Sequence, residues 1–210
     1  MPTRILLEGR PGSGKTTTIR RLAELLHARR ATGFTTQEIR EGGTRVGFTL
    51  ETLAGRRAVL AHVDLPGPPR VGRYGVDLEV MERLALPSLS WPPPSPTAAP
   101  PPGRLVLIDE LGKMELAHRP FQDAVRALFA ADIDVVATVQ AQHGPLTDAL
   151  KHRTDIELLQ VTPANRDTLP EWLAARLERQ QGVFRTSRPA RDAWHDTSPQ
   201  QRGRRPGTPP

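Results

Sequence analysis

The most constraining feature of this 210-residue sequence is a glycine-rich segment near its start, residues 9–16 (GRPGSGKT). It follows a short apolar run, residues 3–8, that is typical of a buried strand. It precedes apolar residues spaced as one face of a helix over residues 15–30, namely Ile19, Leu22, Ala23 and Leu26. A strand, a glycine turn and a helix in this order predict the opening unit of an α/β fold.

The glycine-rich segment matches the pattern G-x-x-x-x-G-K-[ST] at every fixed position, which is the pattern of a phosphate-binding loop. Glycines let backbone N–H groups point inward, and the following helix directs its positive dipole end at the same place. We expect the Lys15 ammonium between the β- and γ-phosphates and the Thr16 hydroxyl on Mg²⁺. The sequence therefore predicts a site for a nucleoside triphosphate with Mg²⁺. The predicted nucleotide-binding residues of this segment are Gly9, Arg10, Pro11, Gly12, Ser13, Gly14, Lys15, Thr16 and Thr17.

A second apolar strand, residues 104–109, ends in the acidic pair Asp109 and Glu110. In a parallel sheet the carboxyl end of the strands is where ligands bind. We predict that Asp109 holds Mg²⁺, directly or through water, and that Glu110 orients and deprotonates a water facing the γ-phosphate. Two solvated acids at the end of a strand are the alternative. A water-activating carboxylate beside the metal favours hydrolysis over transfer to a second substrate.

Two further residues are open candidates. Thr138 lies near the end of a third apolar strand, residues 133–139, where its hydroxyl would report on the γ-phosphate or simply pack. Lys113 follows the acidic pair closely and is either a catalytic cation for the transition state or a surface lysine.

The remaining elements predict a mostly parallel sheet flanked by helices. In residues 34–63 the apolar residues no longer have helical spacing and occur in short runs, separated by turns at Gly42-Gly43 and Ala54-Gly55. This pattern predicts three antiparallel strands that form a meander at one edge of the sheet. A helix over residues 76–86 is expected to stop at Pro87. A helix (119–131), a strand (156–161) and a closing helix (169–179) follow, with Trp172, Leu173 and Leu177 of the closing helix turned inward.

Two stretches are not expected in the core. Residues 91–102 hold seven prolines and predict an extended surface loop within a single domain of residues 1–179. Residues 180–210 are rich in Arg, Pro, Gly and Ser and predict a disordered basic tail. This tail carries six Arg and two Asp, so it accounts for most of the net charge of +6. The folded part is therefore not expected to bind nucleic acid.

Several classes are excluded by what the sequence lacks. There is no cysteine, and the six histidines show no metal-ligand spacing, so a zinc site is not expected. No run of about 18 apolar residues and no signal peptide is visible, so we expect a cytoplasmic protein that does not enter a membrane. We also expect the protein to be a monomer. The Asn-Lys-x-Asp guanine signature is absent, which argues against a dedicated GTPase.

With these residues laid out, the chain resembles a known family, the small P-loop nucleoside-triphosphatases first known from thermophiles, which include the eukaryotic cancer-related nucleoside-triphosphatase. The resemblance spans residues 4–177. Besides the phosphate loop, its blocks occur in the same order at residues 33–40, 43–48, 71–77, 84–87, 108–116 and 161–166. The block at residues 108–116 (IDELGKMEL) is the most specific.

The resemblance implies a RecA-like P-loop NTPase fold. It implies slow, Mg²⁺-dependent hydrolysis of several nucleoside triphosphates (ATP, GTP, CTP, UTP or TTP) to diphosphates, with weak base preference. It implies that Lys15, Thr16, Asp109 and Glu110 keep the roles given above, supports Lys113 as a catalytic residue and makes Asn165 and Arg166 nucleotide-binding candidates.

The sequence departs from the family pattern at four points. The Pro-rich stretch before Arg104 and the tail after Gln180 have no counterpart in the family. Val139-Gln140 stands where the family has an apolar residue and Pro, and Ala117-His118 replaces an apolar-Ser pair.

Two other functions remain open from the sequence. A small-molecule or nucleotide kinase would need a lid carrying cations, which Arg40, Arg45 and Arg73 would supply. A non-catalytic, nucleotide-gated binding module would place its function in the tail. Hydrolysis without any acceptor separates the first alternative from a hydrolase, and deletion of the tail tests the second.

Overall fold

The computed structural model describes residues 1–26, 31–89 and 104–186, with side chains as far as residue 179. The strands are β1 (Arg4–Gly9), β2 (Ala31–Glu41), β3 (Thr44–Thr52), β4 (Arg57–His62), β5 (Arg70–Val71), β6 (Tyr74–Val76), β7 (Leu105–Leu111), β8 (Asp134–Gln140) and β9 (Glu157–Gln160). They form one sheet in the order β5-β6-β4-β3-β2-β7-β8-β1-β9. The neighbours from β2 to β9 pair in parallel and those from β2 to β5 pair antiparallel.

Helices cover both faces of the sheet. They are α1 (Lys15–Leu25), α2 (Leu78–Val80), a π-helical turn (Met81–Ala85), α3 (Leu86–Leu89), a 3-10 turn (Glu115–Ala117), α4 (Arg119–Ala130), α5 (Pro145–Lys151) and α6 (Leu169–Thr186). None of the helices in the described ranges has the length and apolar character needed to cross a lipid bilayer.

Two apolar cores lie on opposite faces of the sheet. In β1, Ile5 and Leu7 pack with helices α1 and α6, whereas Leu6 between them belongs to the core that contains α4. All three leucine and isoleucine side chains are fully buried, because successive strand residues point to opposite faces and both faces are covered. This explains the continuous apolar run that precedes the glycine-rich segment.

Strand β2 belongs to both halves of the sheet. Its first residues, from Ala31 to Thr35, pair in parallel with β7, and its residues from Phe34 to Glu41 pair with β3. The three antiparallel strands and their two turns are confirmed. Their position at one edge of the sheet is confirmed as well. The prediction did not include the pairing of β2 with the core strand β7, or the two strands β5 and β6 that extend the meander.

Other differences reflect packing that the local pattern does not carry. The helix of residues 78–89 continues through Pro87, beyond a π-helical turn, instead of stopping there. Helix α5 was not predicted, and α6 runs to Thr186, past the predicted end at residue 179. Trp172 is 44% exposed, so its inward prediction is wrong, while Leu173 and Leu177 are buried as expected. The Pro-rich segment 91–102 and residues 187–210 lie outside the described residues.

Candidate active site

The glycine-rich segment forms a loop between the carboxyl end of β1 and the first turn of α1. A Cβ atom on Gly9 would lie 2.4 Å from Ser13 Oγ and 2.9 Å from the Val161 carbonyl oxygen, so only glycine fits there. Gly14 caps α1 with a φ of 106°, a left-handed conformation that glycine adopts without strain. The Ser13 Oγ is buried and has no hydrogen-bond partner within the described ranges. The loop therefore presents backbone and hydroxyl donors to an anion at the helix N-terminus.

Lys15 reaches back over this loop from the first turn of α1. It is 7% exposed, and its Nζ donates to the Gly9 carbonyl at 2.9 Å and the Arg10 carbonyl at 3.4 Å. The same Nζ lies 3.8 Å from Glu110 Oε2. The buried Lys15 ammonium thus lies between the glycine-rich loop and Glu110, an arrangement that the sequence predicts.

The acidic pair lies in a bulge of β7 rather than at its end. Ile108 pairs with Ala137 of β8 and Leu111 with Val139, so Asp109 and Glu110 together face the single residue Thr138. Such bulges redirect side chains near active sites. The strand consequently continues to Leu111, two residues past the predicted end at residue 109.

Asp109 is buried at the floor of the site. The fully buried Thr138 hydroxyl donates to its Oδ1 at 2.6 Å, whereas Oδ2 is buried and lacks a hydrogen-bond partner in the described part of the chain. Burial raises the pKa of the Asp109 carboxyl, and the hydroxyls of Thr138 and Thr16 and the Lys15 ammonium oppose this shift. Thr138 therefore holds Asp109, and its hydroxyl is not free for the γ-phosphate contact suggested from the sequence.

Glu110 is more accessible than Asp109, with a side chain 20% exposed. Burial raises the pKa of its carboxyl, against the stabilising effects of the Gln140 amide and the Lys15 ammonium. The Gln140 Nε2 donates to Glu110 Oε1. Gln140 is the residue at which the sequence departs from the family pattern by lacking Pro, and its side chain takes a positioning contact that Pro would not provide.

A third carboxyl group, on Glu115, was not singled out from the sequence. Gly112 lies between the two glutamates, because a Cβ atom placed on it would lie 2.8 Å from Glu115 Oε2 and 2.9 Å from Glu110 Oε1. Glu115 is 4% exposed, and burial followed by the charge of Glu110 raises its pKa to about 8. The residue stands in the most specific block of the resemblance, but no local pattern reveals that its side chain is buried.

Replacement of Glu115 by Gln is expected to stabilise the fold increasingly between pH 5 and pH 8. Across this window the folded chain keeps the Glu115 proton, with a pKa of about 8, while the unfolded chain has released it above 4.5. Unfolding then releases a proton, so wild-type stability falls as pH rises, by up to about 1.4 kcal/mol per pH unit. Glutamine has no proton to lose and avoids this penalty.

Urea unfolding of both proteins at pH 5, 6.5 and 8 measures this difference. The exposed Glu178 offers a matched control, because Glu178→Gln should shift the free energy of unfolding little at any of the three pH values. A constant difference between wild type and Glu115→Gln across the range would contradict the assignment of a proton to Glu115.

The donor set fits a magnesium ion. Magnesium takes oxygen ligands and is usually held by one or two protein groups together with phosphate oxygens and water. Asp109 offers an unpartnered buried oxygen, and Thr16 acts on the same carboxylate with its hydroxyl. Among the described residues no group of three His, Asp or Glu side chains is arranged to hold a metal by itself. The residues therefore suit an ion bound jointly with a polyphosphate, and the assignment of Thr16 and Asp109 as its ligands stays a prediction.

The site opens into a cavity of about 1070 Å³. Among the predicted site residues, those lining this cavity are Pro11, Gly12, Gly14, Lys15, Thr16, Thr17, Glu110 and Lys113. Lys113 is exposed on its wall. Gly9, Arg10 and Ser13 belong to the loop but do not line the cavity, and Asp109 is buried beneath it.

Asn165 and Arg166 lie in the turn between β9 and α6, on the opposite side of the phosphate loop from β7. The Asn165 side chain holds this turn, accepting from the Thr162 N–H at 2.9 Å and donating to the Gln160 carbonyl at 2.8 Å. Arg166 is exposed and packs beside the loop, with its Cδ 3.1 Å from where a Cβ on Gly14 would lie. Arg166 thus packs beside the phosphate loop, whereas the Asn165 side chain stabilises the turn.

A phosphate-binding loop facing two carboxylates across one sheet edge defines a P-loop nucleotide-binding protein of the α/β class. A family model described as NTPase matches residues 4–174. The chain is 42% identical over 166 residues to the nucleoside-triphosphatase THEP1 of Thermotoga sp. (strain RQ2), a match covering 79% of this chain and 90% of the relative. It is 38% identical to the human cancer-related nucleoside-triphosphatase over 180 residues, covering 80% and 93% of the two chains.

Solved structures agree with these sequence matches. The crystal structure of THEP1 from Aquifex aeolicus superposes with a TM-score of 0.75 at 34% identity, covering 84% of this chain and 100% of that one. The solution structure of the human protein gives a TM-score of 0.66 at 35% identity, covering 89% and 99%. The chain belongs to this NTPase family, which confirms the resemblance.

Proposed function

We propose that the chain hydrolyses nucleoside triphosphates (ATP, GTP, CTP, UTP or TTP) to diphosphate and phosphate, with Mg²⁺ and weak base preference. The observation that carries this proposal is the 3.8 Å separation of Lys15 Nζ and Glu110 Oε2 at the mouth of the phosphate loop. A buried cation for the phosphates and a carboxylate for water meet there. The names of the relatives support the same activity.

Each residue has a role that follows from its position. The loop N–H groups and Lys15 hold the β- and γ-phosphates and stabilise charge that develops on the γ-phosphoryl oxygens. Glu110, fixed on one oxygen by Gln140, orients a water in line with the γ-phosphate and accepts its proton. Lys113 on the cavity wall supplies a second positive charge, and Arg166 beside Gly14 lies where the nucleoside end leaves the loop.

Asp109 and Thr16 would hold Mg²⁺, which neutralises phosphate charge when bound. The Thr138 hydroxyl fixes one Asp109 oxygen and leaves the other for the ion or for its water. In this proposal the fold is a RecA-like arrangement of the phosphate loop and β7, working as a monomer within residues 1–179. Weak base preference agrees with the absence of the guanine signature from the sequence.

The metal role predicts the behaviour of Asp109→Asn. We expect the Mg²⁺ concentration for half-maximal turnover to rise by about 10-fold, because an amide is a weaker ligand than a carboxylate. Removal of divalent ions by EDTA should abolish turnover in the wild type. Phosphate release measured over a Mg²⁺ titration reports both effects, with Asp123→Asn on the exposed part of α4 as the control. An unshifted titration curve for Asp109→Asn would remove Asp109 from the metal site.

Phosphate release from each triphosphate, with no acceptor present, tests the activity itself. Turnover in water with rates that differ little between bases supports the hydrolase. Kinase activity is the second candidate, since Arg40 and Arg45 line the same cavity as Lys15. Absence of turnover in water together with phosphoryl transfer to an added acceptor would replace the first proposal by the second.

A further inference from the structure

The cavity extends well beyond the phosphate loop. Along the sheet its lining passes from the loop after β1 to Glu110 on β7, then to residues of β2 and β3 and finally to Tyr74 on β6. Parallel and antiparallel strands are about 4.8 Å apart, so β3 lies about 10 Å from β7. We call one part of the cavity the far compartment, namely the part lined by Glu38, Arg40, Arg45, Phe48 and Tyr74.

The far compartment has a built-in arrangement of flat groups. The Arg45 guanidinium lies 5.1 Å from the Phe48 ring centroid and 5.9 Å from that of Tyr74, and the two rings meet edge to face at 5.4 Å. Arg45 also donates to the Tyr74 hydroxyl at 3.1 Å and to Glu38 at 2.8 Å. These contacts hold the arginine and the rings in fixed orientations, so the compartment is preorganised.

The far compartment carries a surplus of positive charge. Arg40 and Arg45 share the single carboxylate of Glu38. The Arg73 guanidinium adds a third cation 5.3 Å from the Tyr74 ring centroid. The side chains of Arg40 and Arg45 remain 57% and 42% exposed, so their outer faces can contact a ligand. Aromatic rings beside partly free guanidinium groups suit a planar ring that carries an anionic group.

A triphosphate bound at the loop does not occupy this compartment. With Lys15 between the β- and γ-phosphates and Glu110 facing the γ-phosphate, the phosphates run toward β7 and the nucleoside lies on the other side, toward Arg166 and β9. The order of the strands places the far compartment beyond the γ-phosphate, opposite the nucleoside. This step rests on the proposed function.

We propose that the far compartment is a second binding site, for an aromatic ring carrying a phosphate or similar anion, which binds while the triphosphate occupies the loop. The ring stacks on the exposed side of the Arg45 guanidinium, which is supported by the rings of Phe48 and the buried Tyr74, and the anion contacts Arg40. A nucleoside monophosphate has this chemistry.

The test titrates AMP, GMP, CMP and UMP into the full chain saturated with a non-hydrolysable triphosphate and Mg²⁺, with binding followed by calorimetry. We expect at least one monophosphate to bind without displacing the triphosphate, and more tightly than inorganic phosphate. Arg45→Ala should weaken this binding by about 10-fold, as for loss of one stacking partner. Arg40→Ala, at a side chain that is largely exposed, should weaken it by about 5-fold, as for loss of one charge-assisted contact.

Arg126→Ala is the matched control, because Arg126 is an exposed arginine on α4 outside the cavity. Four results would overturn the proposal. They are no binding of any monophosphate, binding unchanged in both Arg45→Ala and Arg40→Ala, binding only by displacement of the triphosphate, and weaker triphosphate binding in Arg45→Ala, since the compartment would then serve the triphosphate itself. Hydrolysis measured without monophosphate remains a separate test of the proposed function.

Discussion

Replacement of Glu110 by Gln is expected to lower triphosphate turnover by about 10²- to 10⁴-fold, the range for loss of a general base. Triphosphate affinity should stay within about twofold of the wild type, because the loop and Lys15 keep their contacts and the amide has nearly the same shape. In the structure Glu110 reaches the cavity with its Oε2 beside Lys15 and its Oε1 held by Gln140. The variant retains that frame but cannot accept a proton.

Single-turnover phosphate release and equilibrium binding of a fluorescent triphosphate separate these two quantities. Glu79→Gln on the exposed surface of α2, which breaks an exposed ion pair with Arg83, serves as the control. Equal losses of binding and turnover in Glu110→Gln would show that Glu110 shapes the site and takes no part in the chemistry.

Replacement of Lys15 by Ala is expected to reduce turnover by at least about 100-fold, as for removal of one group that stabilises transition-state charge. Triphosphate affinity should fall as well, because in the proposed function Lys15 contacts the phosphates in the ground state. The ammonium is 7% exposed and tied to two loop carbonyls, so nearby water or side chains cannot replace it.

The same two assays, together with thermal unfolding, measure the effect of Lys15→Ala. Loss of the contacts to Gly9 and Arg10 alters the loop locally, and the melting temperature should change by only a few degrees. Arg126→Ala, which removes an exposed cation of α4 outside the cavity, again serves as the control. A turnover rate in Lys15→Ala equal to that of the wild type would contradict the assignment of the loop as the triphosphate site.

Local patterns predicted the parts of the site that are continuous in the chain. The glycine-rich loop and its flanking strand and helix lie where the sequence placed them, because each depends on a few adjacent residues. The Asp109-Glu110 pair lies on the predicted strand, but in a bulge instead of at its end. The roles of Glu115 and Gln140 depend on tertiary packing instead. A glutamate becomes a buried acid only when the turn at Gly112 folds against β7, and no residue spacing encodes that event.

Because local patterns do not carry long-range packing, the observed fold also differs from the predicted one. Trp172 has an apolar ring, but Arg176 stacks on it at 5.2 Å and leaves it at the surface. Strand β2 was recognised as part of a meander because short apolar runs are separated by glycine turns in residues 34–63, whereas its pairing with β7 is a long-range contact. The resemblance supplied the candidates Asn165 and Arg166, and the structure distinguishes them, since Arg166 packs against the loop and Asn165 holds the turn.

Strand β2 has neighbours on both sides only near its start. Its first residues pair with β7 of the parallel core, whereas its last residues pair only with β3 and form the hairpin that lines the far compartment. Substitutions at the hairpin end of β2, in the part that pairs only with β3, are therefore expected to change the far compartment and to leave the pairing of β2 with β7 intact.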